Sequence, residues 1–270
     1  MSLMKIALRI SAVEALKGRT LVGANVLDTP NGALDIQADG SLRTAEEKEF
    51  IAVYTDKSVT EGVVGRSLTE NGLCEIIFET GISSAMLKID DDTEETVIVG
   101  INIPGSDRNK EFFLDIVQRQ IADALTDPEN EWADIYRGLH HSIIRIDTAG
   151  ARNTEDGQRL AGHQTKLTVA LGDEPEIGVP LDPRSAFIRF LEALEASDDK
   201  SYQGQAAMIR SLIGGSVEDW QALQRRKGMT TAEMIAVGCG PLATDLDEVA
   251  PVSEVTIEVD TFNTVRVADP

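Results

Sequence analysis

The sequence predicts an α+β fold, with helices packed on one mixed, largely antiparallel sheet and a mainly helical C-terminal appendage. Two observations support this class: helical apolar spacing recurs in long segments, and alternating apolar and polar residues mark strands between them. A third observation concerns residues 172–183, which contain three prolines and have the composition of a linker. We therefore divide the chain into an α+β domain at residues 1–175 and an extension at residues 176–270.

The first part of the chain begins with a helix and continues mainly as strands. An apolar stripe at helical spacing predicts the helix, formed by Ile6, Ile10, Val13 and Leu16. Gly18 is expected to end it, and residues 33–49 are expected to form a loop. Strands are predicted at residues 21–27, 50–55, 73–82 and 97–103. The short apolar run at residues 50–55 is typical of a strand buried on both faces.

The middle of the chain, residues 104–171, contains the most regular pattern. A long amphipathic helix is predicted to begin with Asp107 as its N-cap and to end at Asp127, because Asp127 precedes a proline. A short helix and two strands joined by a charged loop are expected to follow, at residues 131–139, 142–148 and 162–171. In the extension, four helices and a final alternating strand are predicted, the helices at residues 185–195, 205–213, 217–226 and 230–237.

The composition limits the partners that the chain can bind. Its formal net charge is −21, which disfavours binding to nucleic acid through phosphate neutralisation. No run of about 18 apolar residues is present, so we expect no membrane contact and a cytoplasmic location during synthesis. Cys74 and Cys239 match no metal-binding spacing, and the alternation around Cys74 predicts a core residue.

The three histidines are candidates for a metal centre. With a carboxylate, His140, His141 and His163 would hold Zn²⁺ and make the chain a small metal-dependent hydrolase. Adjacent histidines on a strand point to opposite faces, however, which disfavours joint ligation. A phosphate-binding glycine motif and a serine nucleophile elbow are absent from the sequence. We therefore expect no catalytic residue, no metal, no cofactor and no enzymatic activity.

Three arginines lie in and around the predicted charged hairpin of this acidic chain. Arg145, Arg152 and Arg159 have two interpretations. They contribute to solubility, or they form a contact with another subunit or a partner by pairing with its acidic groups.

The order of elements and several short motifs resemble one known family. The motifs lie at residues 18–28 (GRTLVGANVLD), 50–56 (FIAVYTD), 103–107 (IPGSD), 114–121 (LDIVQRQI) and 130–133 (NEWA). Over roughly residues 4–172 they resemble the phage tail terminators of the lambda type. These proteins, also called tail completion or minor tail proteins, occur in long-tailed phages and prophages. The segment after Pro175 is additional to the short family members.

The resemblance implies a structural role in virion assembly. A tail terminator would form an oligomeric ring, typically a hexamer, that caps the tail tube and joins it to the head–tail connector. DNA would pass through the ring without specific binding, and a net negative protein suits that passage. The protein would be in the host cytoplasm during assembly and then in the virion tail. The alternatives are the hydrolase described above and an acidic cytosolic interaction protein.

Overall fold

The computed structural model describes residues 2–30, 49–62, 66–82, 87–89, 96–98, 106–153, 160–241, 254–259 and 263–268. The helices in this part of the chain are α1 (Leu3–Leu16), α2 (Asp107–Thr126), α3 (Glu131–Gly138), α4 (Ala186–Glu195), α5 (Lys200–Ile213), α6 (Asp219–Lys227) and α7 (Thr231–Ala236). The strands are β1 (Val26–Asp28), β2 (Phe50–Val59), β3 (Leu73–Ile82), β4 (Leu87–Ile89), β5 (Thr96–Ile98), β6 (His140–Asn153), β7 (Leu160–Leu171), β8 (Glu254–Val259) and β9 (Asn263–Ala268).

Five of the strands form one mixed sheet, in the order β1-β2-β3-β7-β6. β1 runs parallel to β2, and the other three pairings are antiparallel. β4 pairs with β5, and β8 pairs with β9, as separate two-stranded sheets. The predicted α+β class with a mixed, largely antiparallel sheet is therefore confirmed.

Helices cover one face of the large sheet. α1 packs on β2, whereas α2 packs on β3 and β7. The alternation predicted for residues 73–82 is confirmed, because Cys74, Ile76 and Phe78 are buried on the helix-covered face of β3. Burial raises the pKa of the Cys74 thiol to about 11, so this cysteine stays a neutral core residue. Residues 50–55 are buried at every position, as expected for a strand covered on both faces.

Asn130 joins the three helices of this layer. Its side chain is buried and caps the N-terminus of α3, where its Oδ1 accepts a hydrogen bond from the Ala133 amide at 3.3 Å. Its Nδ2 donates to the carbonyl of Ala15 at 2.8 Å, in the last turn of α1, and to that of Ala124 at 3.3 Å, near the end of α2. One amide therefore satisfies groups at the ends of three different helices.

The segment after β7 is tied to the start of α1. The Glu174 carboxylate accepts hydrogen bonds from the Ser2 hydroxyl at 2.6 Å and from the Leu3 amide at 2.5 Å. Asn71, just before β3, donates to the same carboxylate at 3.0 Å. A carboxylate at a helix N-terminus interacts favourably with the helix dipole. This part of the proline-containing segment is therefore anchored to the domain.

The compact units do not follow the division predicted at residue 175. One unit comprises residues 1–63 and 68–216, and the other comprises residues 64–67 and 217–270. Apolar residues of α4 and α5 belong to the same core as α1 and α3: Phe187, Phe190, Leu191, Leu194, Ala206 and Ile209. The predicted linker therefore lies inside the first unit. The second unit contains α6, α7 and the β8–β9 hairpin, where one final strand was predicted.

Several element ends also differ from the prediction. The strand predicted at residues 21–27 is observed only at its end, as β1 at Val26–Asp28, because turns centred on Gly18 and Gly23, both at positive φ, precede it. Ser106, one residue before Asp107, caps α2. Most of the predicted loop at residues 33–49 and of the predicted strand at residues 97–103 lies outside the described residues. None of the helices that the structure describes is long and apolar enough to cross a membrane.

The Asn130 contacts predict a large effect of one substitution. Asn130→Ala removes the α3 cap and leaves two buried carbonyls without their donor, so we expect it to lower the free energy of unfolding by about 2–4 kcal/mol. Ser185→Ala, which removes only the cap of α4, should cost about 1 kcal/mol. Urea denaturation followed by circular dichroism measures both values. Equal costs for the two variants would show that Asn130 acts as a cap and nothing more.

Candidate functional site at the edge of the sheet

β6 lies at one edge of the five-stranded sheet. It is 14 residues long and pairs with β7 along its whole length, from His140 opposite Leu171 to Asn153 opposite Leu160. Within the described part of the chain, no strand pairs with the other side of β6. A long edge strand presents a row of backbone N–H and C=O groups that another strand or chain can bind.

Apolar side chains make this edge unusual. Ile143 lies opposite Val169, and Ile146 lies opposite Leu167, so both share the helix-covered face of the sheet. Their β7 partners are buried, whereas Ile143 is 46% exposed and Ile146 is 60% exposed. Ile144 is 58% exposed as well. The helix layer therefore stops short of β6, and three isoleucines remain in contact with solvent.

Two irregularities in the pairing shape β6. The register shifts between His140 and Ser142 and again between Ile143 and Arg145, so His141 and Ile144 are extra residues on this strand. Bulges of this kind bend the strand and increase its twist, which changes the direction of the side chains next to them. The side chains around His141 and Ile144 therefore point in directions that a regular edge strand would not give them.

Charged side chains form a ladder across the opposite face of the sheet. Arg145 and Asp147 of β6 pair at 2.7 Å, and Asp147 lies 3.9 Å from Lys166 of β7. Lys166 lies 3.7 Å from Glu75 of β3, which in turn pairs with Lys57 of β2 at 3.0 Å. The hydrogen bond from Lys57 holds the pKa of Glu75 below its usual range. Each exposed pair contributes little to stability, and the ladder places Arg145 at its outer end.

The three arginines predicted as a contact are placed to different extents. Arg145 is largely exposed at the end of the ladder. Arg152 belongs to β6 by its backbone, and its side chain lies outside the described residues, as does the whole of Arg159. The contact role of these arginines stays a prediction.

The structure does not bring the three histidines together. His140 pairs with Leu171 and His163 pairs with Gly150, which places the two histidines eight residues apart along β7. At roughly 3.4 Å per residue, about 27 Å separates them. The hypothesis of one metal centre built from His140, His141 and His163 is therefore wrong. His140 and His141 begin one strand and His163 lies on the next strand in the sequence. The pairing register of these two strands places His140 far from His163 along β7.

His140 has a packing role. Its ring lies edge-on to Tyr136, with ring centroids 5.1 Å apart, and both of its ring nitrogens are buried without a hydrogen-bond partner. Burial, and to a smaller extent the neighbouring His141, lowers the pKa of His140. Burial likewise raises the pKa of Tyr136. Both rings are therefore uncharged at neutral pH.

A groove of about 460 Å³ lies where α1, α3, α4 and α5 meet, and three of its polar side chains, Arg189, Tyr202 and Glu14, bind within the chain. Arg189 pairs with Asp134 at 2.5 Å, and the hydroxyl of Tyr202 donates to Glu14 at 2.6 Å. The hydrogen bond from Arg189 holds the pKa of Asp134 below its usual range. These contacts stabilise the packing of α4 and α5 on the rest of the unit.

Sequence reasoning missed two features that the structure places near β6. The exposure of Ile143, Ile144 and Ile146 has no signal in the sequence, because a buried edge strand would show the same residue types. A second feature is a pair of carboxylates on α2, Glu111 and Asp115, which face His163. Their spacing of four residues places them on one face of a helix and could have drawn attention to them.

Comparisons of the chain with family models, with curated proteins and with solved structures gave no match.

The burial of His140 predicts a pH dependence of stability. Because the pKa of His140 is lower in the folded than in the unfolded state, the unfolded chain binds its proton first as the pH falls below about 6.5. The free energy of unfolding should therefore decrease between pH 7.5 and pH 5.5. His140→Phe should flatten this slope, whereas exposed His141→Gln should keep most of it. Urea denaturation across this pH range measures the slopes, and parallel curves for wild type and His140→Phe would contradict the assignment.

Proposed function

We propose that this chain is a structural assembly protein that forms a closed ring through contacts at β6, like the phage tail terminators that it resembles. The exposed, apolar edge strand is the observation that carries the proposal. The resemblance supplies the biological setting, and the edge supplies a physical means of assembly. In this role the protein has no catalytic activity.

The energetics of the edge favour a protein neighbour. A second chain would satisfy the outward backbone groups of β6 and remove Ile143, Ile144 and Ile146 from water. Since each isoleucine is about half exposed, its complete burial would contribute on the order of 1 kcal/mol. Arg145 lies on the same strand and provides a charged group at the margin of the contact.

The symmetry of the contact decides the kind of assembly. Pairing of β6 with β6 of a second copy is isologous and closes as a two-fold dimer. A ring requires β6 to meet a different surface of the next copy. The opposite edge of the sheet, β1, has only three residues and can pair with only a small part of the 14-residue β6. In the proposed ring, the outward backbone groups of β6 therefore bind mainly to groups of the neighbour that lie outside its β1 strand.

The proposed partners follow from the resemblance. They are further copies of the chain in a hexameric ring, the tail tube protein and the head–tail connector. The net charge of −21 disfavours phosphate contacts, so DNA passes the ring without specific binding. The proposed locations are the host cytoplasm during assembly and the virion tail afterwards.

A single charged side chain at the edge tests this proposal. Ile146→Lys would place a charge in the contact and should weaken self-association by about tenfold or more. Leu68→Lys is the matched control, because Leu68 is 95% exposed and lies outside the sheet. Multi-angle light scattering over a concentration series, with negative-stain microscopy of the largest species, measures the effect.

The wild type and Leu68→Lys should form a ring larger than a dimer, and Ile146→Lys should remain a folded monomer. If the wild type forms only a dimer and Ile146→Lys dissociates it, the contact at β6 is correct but the ring is contradicted. A wild-type monomer at every concentration, also in the presence of tail tubes, would favour the acidic interaction protein instead.

A further inference from the structure

Three side chains from α2 and β7 meet near the end of the β6–β7 hairpin where β6 ends and β7 begins. Glu111 and Asp115 lie four residues apart on α2 and face His163 of β7. The Nε2 atom of His163 lies 3.3 Å from Glu111 Oε1, and its Nδ1 atom lies 3.9 Å from Asp115 Oδ1. One donor atom from each residue lies within 4.8 Å of the other two.

The imidazole is the buried member of this cluster. The side chain of His163 is only 10% exposed, and its Nδ1 is buried without a hydrogen-bond partner. A buried polar atom without a partner is costly, and Nδ1 points towards Asp115 at a distance too long for a hydrogen bond. Asp115, by contrast, is 64% exposed, so the cluster is open to solvent on that side.

We propose that Glu111, Asp115 and His163 bind one divalent transition-metal ion, with water completing its coordination. One imidazole and two carboxylates suit Zn²⁺ or Mn²⁺, whereas Mg²⁺ and Ca²⁺ prefer oxygen ligands alone. The two carboxylates also balance the charge of the ion.

The geometry requires only small movements. Metal–ligand distances of about 2.0–2.2 Å place neighbouring donor atoms about 3.0–3.5 Å apart. One ion binds only one of the two ring nitrogens, because their lone pairs point in different directions. Nε2 of His163 already lies in this range from Glu111 Oε1, and the exposed Asp115 side chain would turn towards the same nitrogen.

The ion would link α2 to the sheet. Glu111 and His163 are 52 residues apart in the sequence, and the contact holds the first half of α2 against β7. An ion that binds only the folded chain raises its apparent stability in proportion to the logarithm of its concentration. This site is independent of the proposed ring, since it lies on α2 and β7 and does not use the exposed isoleucines.

Calorimetric titration of the full chain with zinc chloride and with manganese chloride tests the site, after dialysis against a chelator. We expect one ion per chain for at least one of the two metals. Even partners outside the first coordination shell contribute about 10–100-fold to metal affinity, so His163→Gln and Asp115→Asn should each weaken binding at least about tenfold. Asp115→Asn changes an exposed residue and keeps the test valid if His163→Gln does not fold.

Two matched controls separate this cluster from other possible ligands. His141→Gln removes an exposed histidine, and Asp123→Asn removes an exposed carboxylate further along α2. Both should leave the affinity unchanged. A titration with cobalt chloride should give weak d–d absorption without a thiolate charge-transfer band, which excludes a site at Cys239. No binding of either metal, or binding that persists in both His163→Gln and Asp115→Asn, would overturn the proposal and leave a histidine in contact with Glu111.

Discussion

The structure depends on how far its helix layer extends over the sheet. α1 packs on β2, and α2 packs on β3 and β7, so the inner faces of these strands form the core. Asn130 fixes the ends of α1, α2 and α3 relative to one another through three hydrogen bonds. The layer does not cover β6 completely, and Ile143 and Ile146 stay exposed on the same face where Leu167 and Val169 are buried. The apolar edge is thus exposed because the helices that cover the core do not reach across β6.

The edge and the cluster around His163 belong to one hairpin. Gly150 of β6 lies opposite His163 of β7, so the proposed metal ligand is paired directly with the strand that carries the proposed contact. The charged ladder on the opposite face runs from Arg145 to Lys57 and links the same strand to β2. The pairing of β6 with β7 along its length holds β6 extended before it meets a neighbour, which reduces the entropy that β6 would lose on binding.

The sequence predicts local elements better than their surroundings. The alternation of β3 and the proline after Asp127 are local signals, and the structure confirms the strand at Leu73–Ile82 and the end of α2. The compact units differ from the predicted division because prolines indicate a break in secondary structure, whereas Phe190 and Leu191 beyond them pack into the first core. The histidine set was wrong because the register of β6 and β7 is a property of the folded sheet. The exposure of Ile146 could not be predicted, since it depends on where the helix layer ends.

Amide hydrogen exchange of β6 as a function of protein concentration tests the central claim most directly, because it reports on the backbone of the edge itself. In dilute solution, amides of β6 that point away from β7 should exchange fast, whereas amides of β3 should already be protected. Assembly at high concentration should protect the β6 amides and leave those of β3 unchanged. An assembly that forms while β6 continues to exchange at its dilute rate, with new protection elsewhere, would contradict the account.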